Sequence, residues 1–326
     1  MRECCIGRGR RALTLAGLLA LAAVALAPAE LAADAVDLPR SESIWTLPEG
    51  VAIGRPPASS GTIEIRGAGD FVFDPSTIET LRPDIFDEGQ FSVFDILVQL
   101  DEDGLIELEY TYDETAQTHI IQSLDGLDGW WYDAHYEGGS FDRTVVRIDC
   151  FPVKDAMSTV LFLEDPTRIE AIHSHYREEV ERRGGNQQGV FVPLVVLRSA
   201  ARTVEFADVA VTSHDVRPDV FKPGTITMLD VLLSLGDRGD LDRLGLEWRA
   251  TEDDVEIVDG TYVVSIAAGD FAPQSTGKCV LTHQIGGAAI QQHLSPHTHT
   301  MSHIHLTGDL EVLVAPESVE WLWVCL

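Results

Sequence analysis

A histidine-rich stretch near the C-terminus carries the residue types that bind transition metals. Residues 293–306 read HLSPHTHTMSHIHL and hold five of the eleven histidines in the chain. Side chains alternate between two faces along a β-strand, so positions of one parity would share a face. The ligands sharing that face would be His297, His299, Met301, His303 and His305. Imidazole suits zinc, copper, nickel and iron, and a thioether adds a preference for Cu(I), so the stretch predicts a copper or zinc site.

The length of the stretch limits how these ligands can combine. A strand rises about 3.3 Å per residue, so His297 and His305 are too far apart to reach one ion unless the chain bends. The spacing therefore predicts two half-sites or a bent segment, with His293 as a further ligand. Additional ligands could come from His283, Cys279 or Glu311. Two alternatives stay open: a solvated polar strand with incidental histidines, and a haem held by two of them.

Signatures of the common enzyme classes are missing from the sequence. The chain has no nucleophile elbow, P-loop, dinucleotide-binding loop or HExxH motif. No catalytic residue is assigned, and a binding protein is favoured over an enzyme. A histidine-bound metal with an open coordination position is the one route to chemistry that the sequence offers.

The charge of the chain narrows the choice of partners. Acidic residues number 53 against 23 basic ones, which gives a formal net charge of −30. Such a surface repels nucleic acid and anionic lipid and attracts cations. A metal ion, or a protein or surface partner, is therefore expected, and nucleic acid is not.

The N-terminus has the pattern of a signal peptide. Arginines at positions 2, 8, 10 and 11 precede an apolar stretch over residues 12–27, and small-x-small cleavage sites end at Ala29 and Ala35. This predicts export to the periplasm or the extracellular space, with no membrane span after the signal is removed. In an exported protein two of the remaining cysteines, Cys150, Cys279 and Cys325, could pair, and the sequence leaves the pairing open.

An internal repeat is the strongest signal of organisation. Residues 82–100 read RPDIFDEGQFSVFDILVQL, and residues 217–235 read RPDVFKPGTITMLDVLLSL. Ser92 and Thr227 each precede an aspartate by three positions, as in a capping box, and an apolar i, i+3, i+4, i+7 pattern follows. Each copy is therefore predicted to contain one short amphipathic helix.

Strands are predicted around each helix. Residues 62–65 and 203–206 precede the helices, and alternating apolar and polar residues follow both of them. This order predicts an α+β fold with each helix packed on one face of a mostly antiparallel sheet. A helix over residues 166–183, ended by two glycines, and an apolar strand over residues 190–197 are predicted between the copies.

The first copy resembles a known family. After the helix, residues 120–127 read IIQSLDGL, residues 129–132 read GWWY, and residues 137–139 read EGG. This resembles exported bacterial domains similar to the C-terminal domain of transcobalamin, although residues 134–138 read AHYEG where that family has Val-Asn-Gly. The resemblance covers about 75 residues and implies a β-grasp fold with a ligand-binding or surface role. It transfers no corrin-contacting residue, and residues 260–264 of the second copy, GTYVV, lack the tryptophans.

The paired tryptophans are the candidate ligand-binding residues of the first copy. Trp130 and Trp131 are adjacent on a predicted strand, so their side chains point to opposite faces. One is expected in the core and the other partly exposed, where it could stack on a small ligand or a corrinoid. Packing alone is the alternative.

These patterns divide the chain into five segments. They are a signal peptide (1–29, or to 35), a linker (36–61), a first β-grasp-like repeat (62–150), a connecting helix and strand (151–200), and a second repeat with the histidine-rich strand (201–326).

Overall fold

Two short helices begin where the repeated sequence places a hydroxyl and a carboxylate three residues apart. They are α1 (Val93–Glu102) and α3 (Met228–Asp237). Ser92 caps α1 and Thr227 caps α3, and in each case the aspartate at the third helical position accepts a hydrogen bond from the cap's backbone N–H. Each box satisfies backbone donors that the first helical turn leaves unpaired. Both predicted capping boxes are confirmed.

The computed structural model describes the protein over most of the two copies. The described residues are 43–48, 61–135, 141–142, 147–154, 157–183, 190–249, 259–273, 279–286, 307–315 and 317–325. The fold is α+β, with few helices and several small sheets. The predicted signal peptide, the histidine-rich stretch and most of the N-terminal linker lie outside the described residues.

The first copy forms one mixed sheet and one separate hairpin. Its strands are β1 (Gly61–Ile65), β2 (Gly69–Phe73), β3 (Leu108–Asp113), β4 (Thr118–Leu124), β5 (Trp130–His135), β6 (Phe141–Asp142) and β7 (Ser158–Leu163). The sheet order is β2-β1-β7-β5-β6, in which β1 and β7 are parallel and the other neighbours are antiparallel. The strands β3 and β4 pair only with each other.

The second copy repeats this arrangement. Its strands are β8 (Val190–Arg198), β9 (Thr203–Val211), β10 (Arg243–Arg249), β11 (Gly260–Ala267), β12 (Cys279–Ile285) and β13 (Val319–Cys325). The sheet order is β12-β13-β8-β9, with β8 and β13 parallel, and β10 pairs with β11 as a hairpin. In pairing, β8 corresponds to β1, β9 to β2, β12 to β5 and β13 to β7.

The pairings correct two equivalences suggested by the sequence. Residues 203–206 begin β9, the counterpart of β2, and so do not match residues 62–65 in β1. Residues 260–264 lie in β11, the counterpart of β4, so the strand that corresponds to the paired tryptophans is β12. Their apolar and β-branched composition made these strands similar, but only the ladder partner distinguishes them.

The connecting segment 151–200 contributes to both sheets. It contains β7, the helix α2 (Pro166–Arg183) and β8. The helix α2 has the predicted bounds, and the predicted strand over residues 190–197 is found as β8. In the first sheet β7 is the parallel neighbour of β1, and in the second sheet β8 is the parallel neighbour of β13.

A local two-fold axis relates the copies where their repeated segments meet. Phe86 and Phe221, which occupy the same place in the repeat, form an antiparallel bridge, and their rings lie 5.7 Å apart. Asp87 N–H donates to the Val220 carbonyl, and Lys222 N–H donates to the Ile85 carbonyl. Equivalent residues therefore face each other across the axis, as in a C2 dimer joined into one chain.

A buried ion pair also joins the copies. Arg147 donates from Nη1 and Nη2 to the two carboxylate oxygens of Glu317, at 2.8 and 2.6 Å. The side chains are 4% and 0% exposed, so the pair is shielded from water. The Arg147 guanidinium also lies 5.5 Å from the ring centre of Tyr176 on α2 and donates through Nε to the Ala116 carbonyl. This network locks the first copy, α2 and the second copy together.

The described cysteines differ in their bonding state. Cys150 is a buried free thiol, whereas Cys279 is disulfide-bonded and lies opposite Cys325 in the β12–β13 ladder.

Within the part of the chain that the structure describes, no helix combines the length and apolar character needed to cross a membrane.

Candidate functional site

A buried carboxylate organises the first copy. Asp149 is fully buried and accepts hydrogen bonds from Arg82 Nη1 at 3.1 Å, from the backbone N–H of His119 at 3.0 Å and from the Thr118 hydroxyl. Burial raises the pKa of the Asp149 carboxyl, but the hydrogen bond from His119 and the charge of Arg82 outweigh it, so the net pKa lies below the usual value. The group is therefore an ionised carboxylate.

The imidazole of His119 is fixed by this carboxylate. Its Nδ1 lies 2.8 Å from Asp149 Oδ2. Because an ionised carboxylate only accepts, Nδ1 must carry the proton. The neutral ring then has its lone pair on Nε2, at the opposite edge.

Aromatic side chains hold the same ring in place. Phe94 stacks on His119 with ring centres 5.2 Å apart and an interplanar angle of 15°. Tyr110 and Tyr112 meet it edge-on, at 5.7 and 5.0 Å. The ring is thus positioned by both packing and hydrogen bonding, which is how a functional side chain is preorganised.

The second copy keeps the carboxylate but not the imidazole. Asp309 is fully buried near Arg217 and accepts from the backbone N–H of Thr261 at 3.0 Å, as Asp149 does from that of His119. Each arginine also donates to the carbonyl of a residue with positive φ: Arg82 to Gln117, and Arg217 to Asp259. Thr261 therefore occupies the position of His119, and the imidazole is specific to the first copy.

A cleft opens beside this imidazole in the first copy. Its empty space, including the open mouth, amounts to about 380 Å³. Its walls come from β4, β5, β7, α2 and the turn at Ile148, and they are mostly apolar. The lining residues are His119, Ile120, Ile121, Trp130, Trp131, Tyr132, Ile148, Leu161, Ile169 and His173.

Both tryptophans predicted as ligand-binding residues line the cleft. Trp130 is buried, and its indole N–H donates to the Leu127 carbonyl at 2.9 Å, which identifies it as a packing residue. Trp131 is partly exposed and packs against Tyr132 and the ring of His173, with ring centres 6.4 Å apart in each pair. The expected division between a core and a partly exposed tryptophan is confirmed, and Trp131 is the one available to a ligand.

His173 provides a second imidazole in the cleft. The sequence predicts His173 and His175 as surface or packing residues of α2, and His173 is 6% exposed. Burial lowers the pKa of His173 to about 4, and the charge of Arg177 adds to this effect. The ring is therefore neutral near pH 7, and its Nδ1 has no hydrogen-bond partner among the described residues. An unpaired buried polar atom is costly unless something binds it.

The helix α2 is fastened over the cleft at one end. Arg177 Nε donates to Asp113 Oδ2, at the end of β3, at 2.5 Å. Arg177 also pairs with Glu170, two turns earlier on α2. The charged groups nearest His173 are thus paired with one another on the outer side of α2.

The predicted metal ligands lie outside the described residues. His293, His297, His299, Met301, His303 and His305 fall in the connection 287–306. Its two flanks are held, because Gly286 N–H donates to the Ser318 carbonyl and Thr307 donates to Asp309. The corresponding connection of the first copy, between His135 and Arg147, is shorter.

The further ligands considered from the sequence have other contacts. His283 Nε2 lies 2.6 Å from Glu311, both side chains are 3% exposed, and the Cys279 sulfur is part of a disulfide. Over the described ranges, no group of three or more His, Cys, Asp or Glu side chains is placed to hold a metal ion.

Comparisons of the chain with protein-family models, with curated proteins and with solved structures return no match. The site must therefore be interpreted from its own chemistry. The cleft combines a fixed imidazole, a second neutral imidazole and a partly exposed indole within mostly apolar walls.

His119 and His173 are the site residues that sequence reasoning missed. They lie on β4 and on α2, far apart along the chain, and both line the cleft. The one sequence signal for His119 is its difference from Thr261, and that comparison requires the strand equivalence given by the ladders.

Proposed function

We propose that the protein is an exported small-ligand-binding protein, built from two β-grasp units, whose binding site is the cleft of the first copy. The sheet order supports the β-grasp assignment, because the first and last strands of each unit are parallel neighbours at the centre of the sheet, and each has an antiparallel neighbour on its other side. The arginine-rich start and the apolar stretch over residues 12–27 support export.

One observation carries the binding assignment: the cleft combines side chains that the second copy lacks. By strand pairing and hydrogen bonding, Thr261 of the second copy takes the place of His119. The shared residues account for folding of both copies. The side chains of the first copy that face the cleft are thus available for a specialised task.

A fluorescence titration tests this function. The probe is N-phenyl-1-naphthylamine, a neutral dye whose emission rises in apolar surroundings. We expect saturable emission with the native protein and binding weakened at least about tenfold, or roughly 1.4 kcal/mol, in Trp131→Leu. Leucine keeps an apolar side chain at this position and removes the indole face.

The matched control is Trp45→Phe, which removes an indole that packs on His214 in the second copy. It should leave the titration unchanged. A flat titration with the native protein, or equal affinity in native protein and Trp131→Leu, would refute cleft binding. Parallel titrations with a corrinoid and with haem test whether either cofactor is the ligand.

Metal binding by the histidine-rich connection is a second candidate function. The observations that favour it are the alternate spacing of His297, His299, His303 and His305 and the net charge of −30. Copper or zinc would bind through imidazole nitrogens, with Met301 and His293 as further ligands. A protein or surface partner that uses no metal is the competing role for this connection.

Metal content after mild purification, followed by zinc and Cu(I) titration, tests this second function. Changing the four histidines to asparagine should abolish binding tighter than micromolar. The control changes His175 on α2 to asparagine and should keep the metal. A metal-free native protein with no affinity in that range would exclude the metal function and leave the partner role.

A further inference from the structure

We infer that the cleft is selective for a small, neutral, ring-shaped ligand carrying an N–H or O–H group, which donates to Nε2 of His119. This inference rests on the proposed binding function and specifies its ligand class. It requires three properties of the cleft: a fixed acceptor, no charge available to a ligand, and limited space.

The acceptor is fixed by Asp149. The carboxylate holds the His119 proton on Nδ1, so Nε2 of the neutral ring can only accept. Stacking on Phe94 and the edge contacts of Tyr110 and Tyr112 prevent the ring from turning this edge away. Nε2 has no hydrogen-bond partner within the described parts of the chain, so a ligand that donates there competes with no protein donor.

The charged groups around the cleft are already paired. Asp149 is matched with Arg82, and Arg177 with Asp113. His173, the other imidazole of the wall, is neutral near pH 7. A charged ligand would lose its hydration with no countercharge in the cleft, and that loss is large. The net charge of −30 further disfavours anions.

The shape and size of the cleft favour a ring. Trp131 offers an indole face, and four isoleucines contribute to the remaining wall. Offset or edge contacts between aromatic rings add to area burial. The empty space of about 380 Å³ includes the open mouth, so the enclosed part is smaller, and most of a corrinoid would stay outside.

His173 explains a second property of the site. Its Nδ1 is buried without a partner, which destabilises the empty cleft. A ligand carrying a second polar atom would pair with this nitrogen as well as with His119. Indazole, which has adjacent N–H and N groups, is therefore expected to bind more tightly than indole.

Isothermal titration calorimetry with indole and 1-methylindole tests the inference on the full protein. The two probes share a ring system and differ in the N–H. We expect 1-methylindole to bind at least about tenfold more weakly, because a site built to receive a donor rejects an analogue that lacks it. His119→Thr, which copies Thr261 and keeps the backbone N–H to Asp149, should reduce the difference to less than about threefold.

Equal affinity of the native protein for both probes, or an unchanged preference in His119→Thr, would overturn the inference. If that variant fails to fold, the nitrogen-15 resonance of His119 Nε2 in the native protein replaces it. The resonance should move on addition of indole and stay in place with 1-methylindole, and an unmoved resonance overturns the inference.

The naphthylamine titration separates the two levels of failure. If the dye binds the native protein and not Trp131→Leu, while indole and 1-methylindole bind equally, the cleft function stands and the donor selectivity is wrong. If neither the dye nor indole binds, both proposals fail.

Discussion

The two ion pairs that join the copies should differ greatly in their contribution to stability. The Arg147–Glu317 pair is 4% and 0% exposed, whereas the Lys222–Asp87 pair is 40% and 44% exposed. Removing one partner of a buried pair leaves an uncompensated buried charge and costs about 3–5 kcal/mol. An exposed pair contributes about 0–1 kcal/mol.

Arg147→Met is therefore expected to lower the free energy of unfolding by about 3–5 kcal/mol. Methionine keeps much of the side-chain volume beside Tyr176, so most of the loss comes from the stranded Glu317 carboxylate. Replacing both partners, as Arg147→Met with Glu317→Leu, should recover at least half of the loss, because no buried charge is left alone. The control Lys222→Ala should cost no more than about 1 kcal/mol.

Urea unfolding followed by tryptophan fluorescence and far-ultraviolet circular dichroism measures these differences. Urea is uncharged, so it does not screen the pairs as guanidinium would. The reasoning is wrong if Arg147→Met lowers the free energy of unfolding by less than about 1 kcal/mol. It is also wrong if the double variant loses as much as Arg147→Met and Glu317→Leu lose separately, added together. Non-coincident transitions of the two probes would indicate that the copies unfold separately.

Three further predictions concern pH and helix capping. The pKa of His173 is 6.5 in the unfolded chain and about 4 in the folded protein. The contribution of His173 to the free energy of unfolding is therefore complete above pH 6.5 and decreases by up to about 3 kcal/mol on acidification to pH 4. Urea titrations of His173→Leu should lack this pH-dependent component. Burial lowers the pKa of His214, but Asp230 and Asp237 hold it above the usual value. The stabilisation by His214 is therefore complete below pH 6.5 and is lost as pH rises through the raised pKa. In thermal melts over that pH range, the melting temperature of His214→Asn should decrease less than that of the native protein. Ser92→Ala and Thr227→Ala should each lower the free energy of unfolding in urea by about 0.5–2 kcal/mol, because each leaves a backbone N–H donor in the first turn of its helix unpaired.

Local structure was predictable where a few adjacent residues decide it. The capping boxes and the apolar spacing gave the starts of α1 and α3, and the paired glycines gave the end of α2. Strand identity was not predictable, because it depends on the partner. The parallel pairs β1–β7 and β8–β13 join segments separated by most of a copy. The sequence of a strand does not identify the distant strand with which it pairs.

The candidate site was predictable only in part for the same reason. Alternation along β5 separates Trp130 from Trp131, since it is a local property of a strand. The meeting of His119 with Asp149 and of His173 with Trp131 depends on the packing of distant elements. A single histidine in a strand or on a helix face resembles any surface histidine until that packing is known.

The comparison of the copies indicates which contacts of Asp149 serve the fold. Asp309 is buried in the same place and is satisfied by Thr307, the Thr261 backbone and nearby Arg217, with no imidazole among the residues that the structure describes. A carboxylate at this position therefore does not need a histidine to be stable. The Nδ1–H bond of His119 is an additional contact, and its effect is on the ring: it fixes the proton on one nitrogen and leaves the other as an acceptor. Selection for folding alone would not require that effect, which is why the imidazole, rather than the buried charge cluster, is assigned to ligand binding.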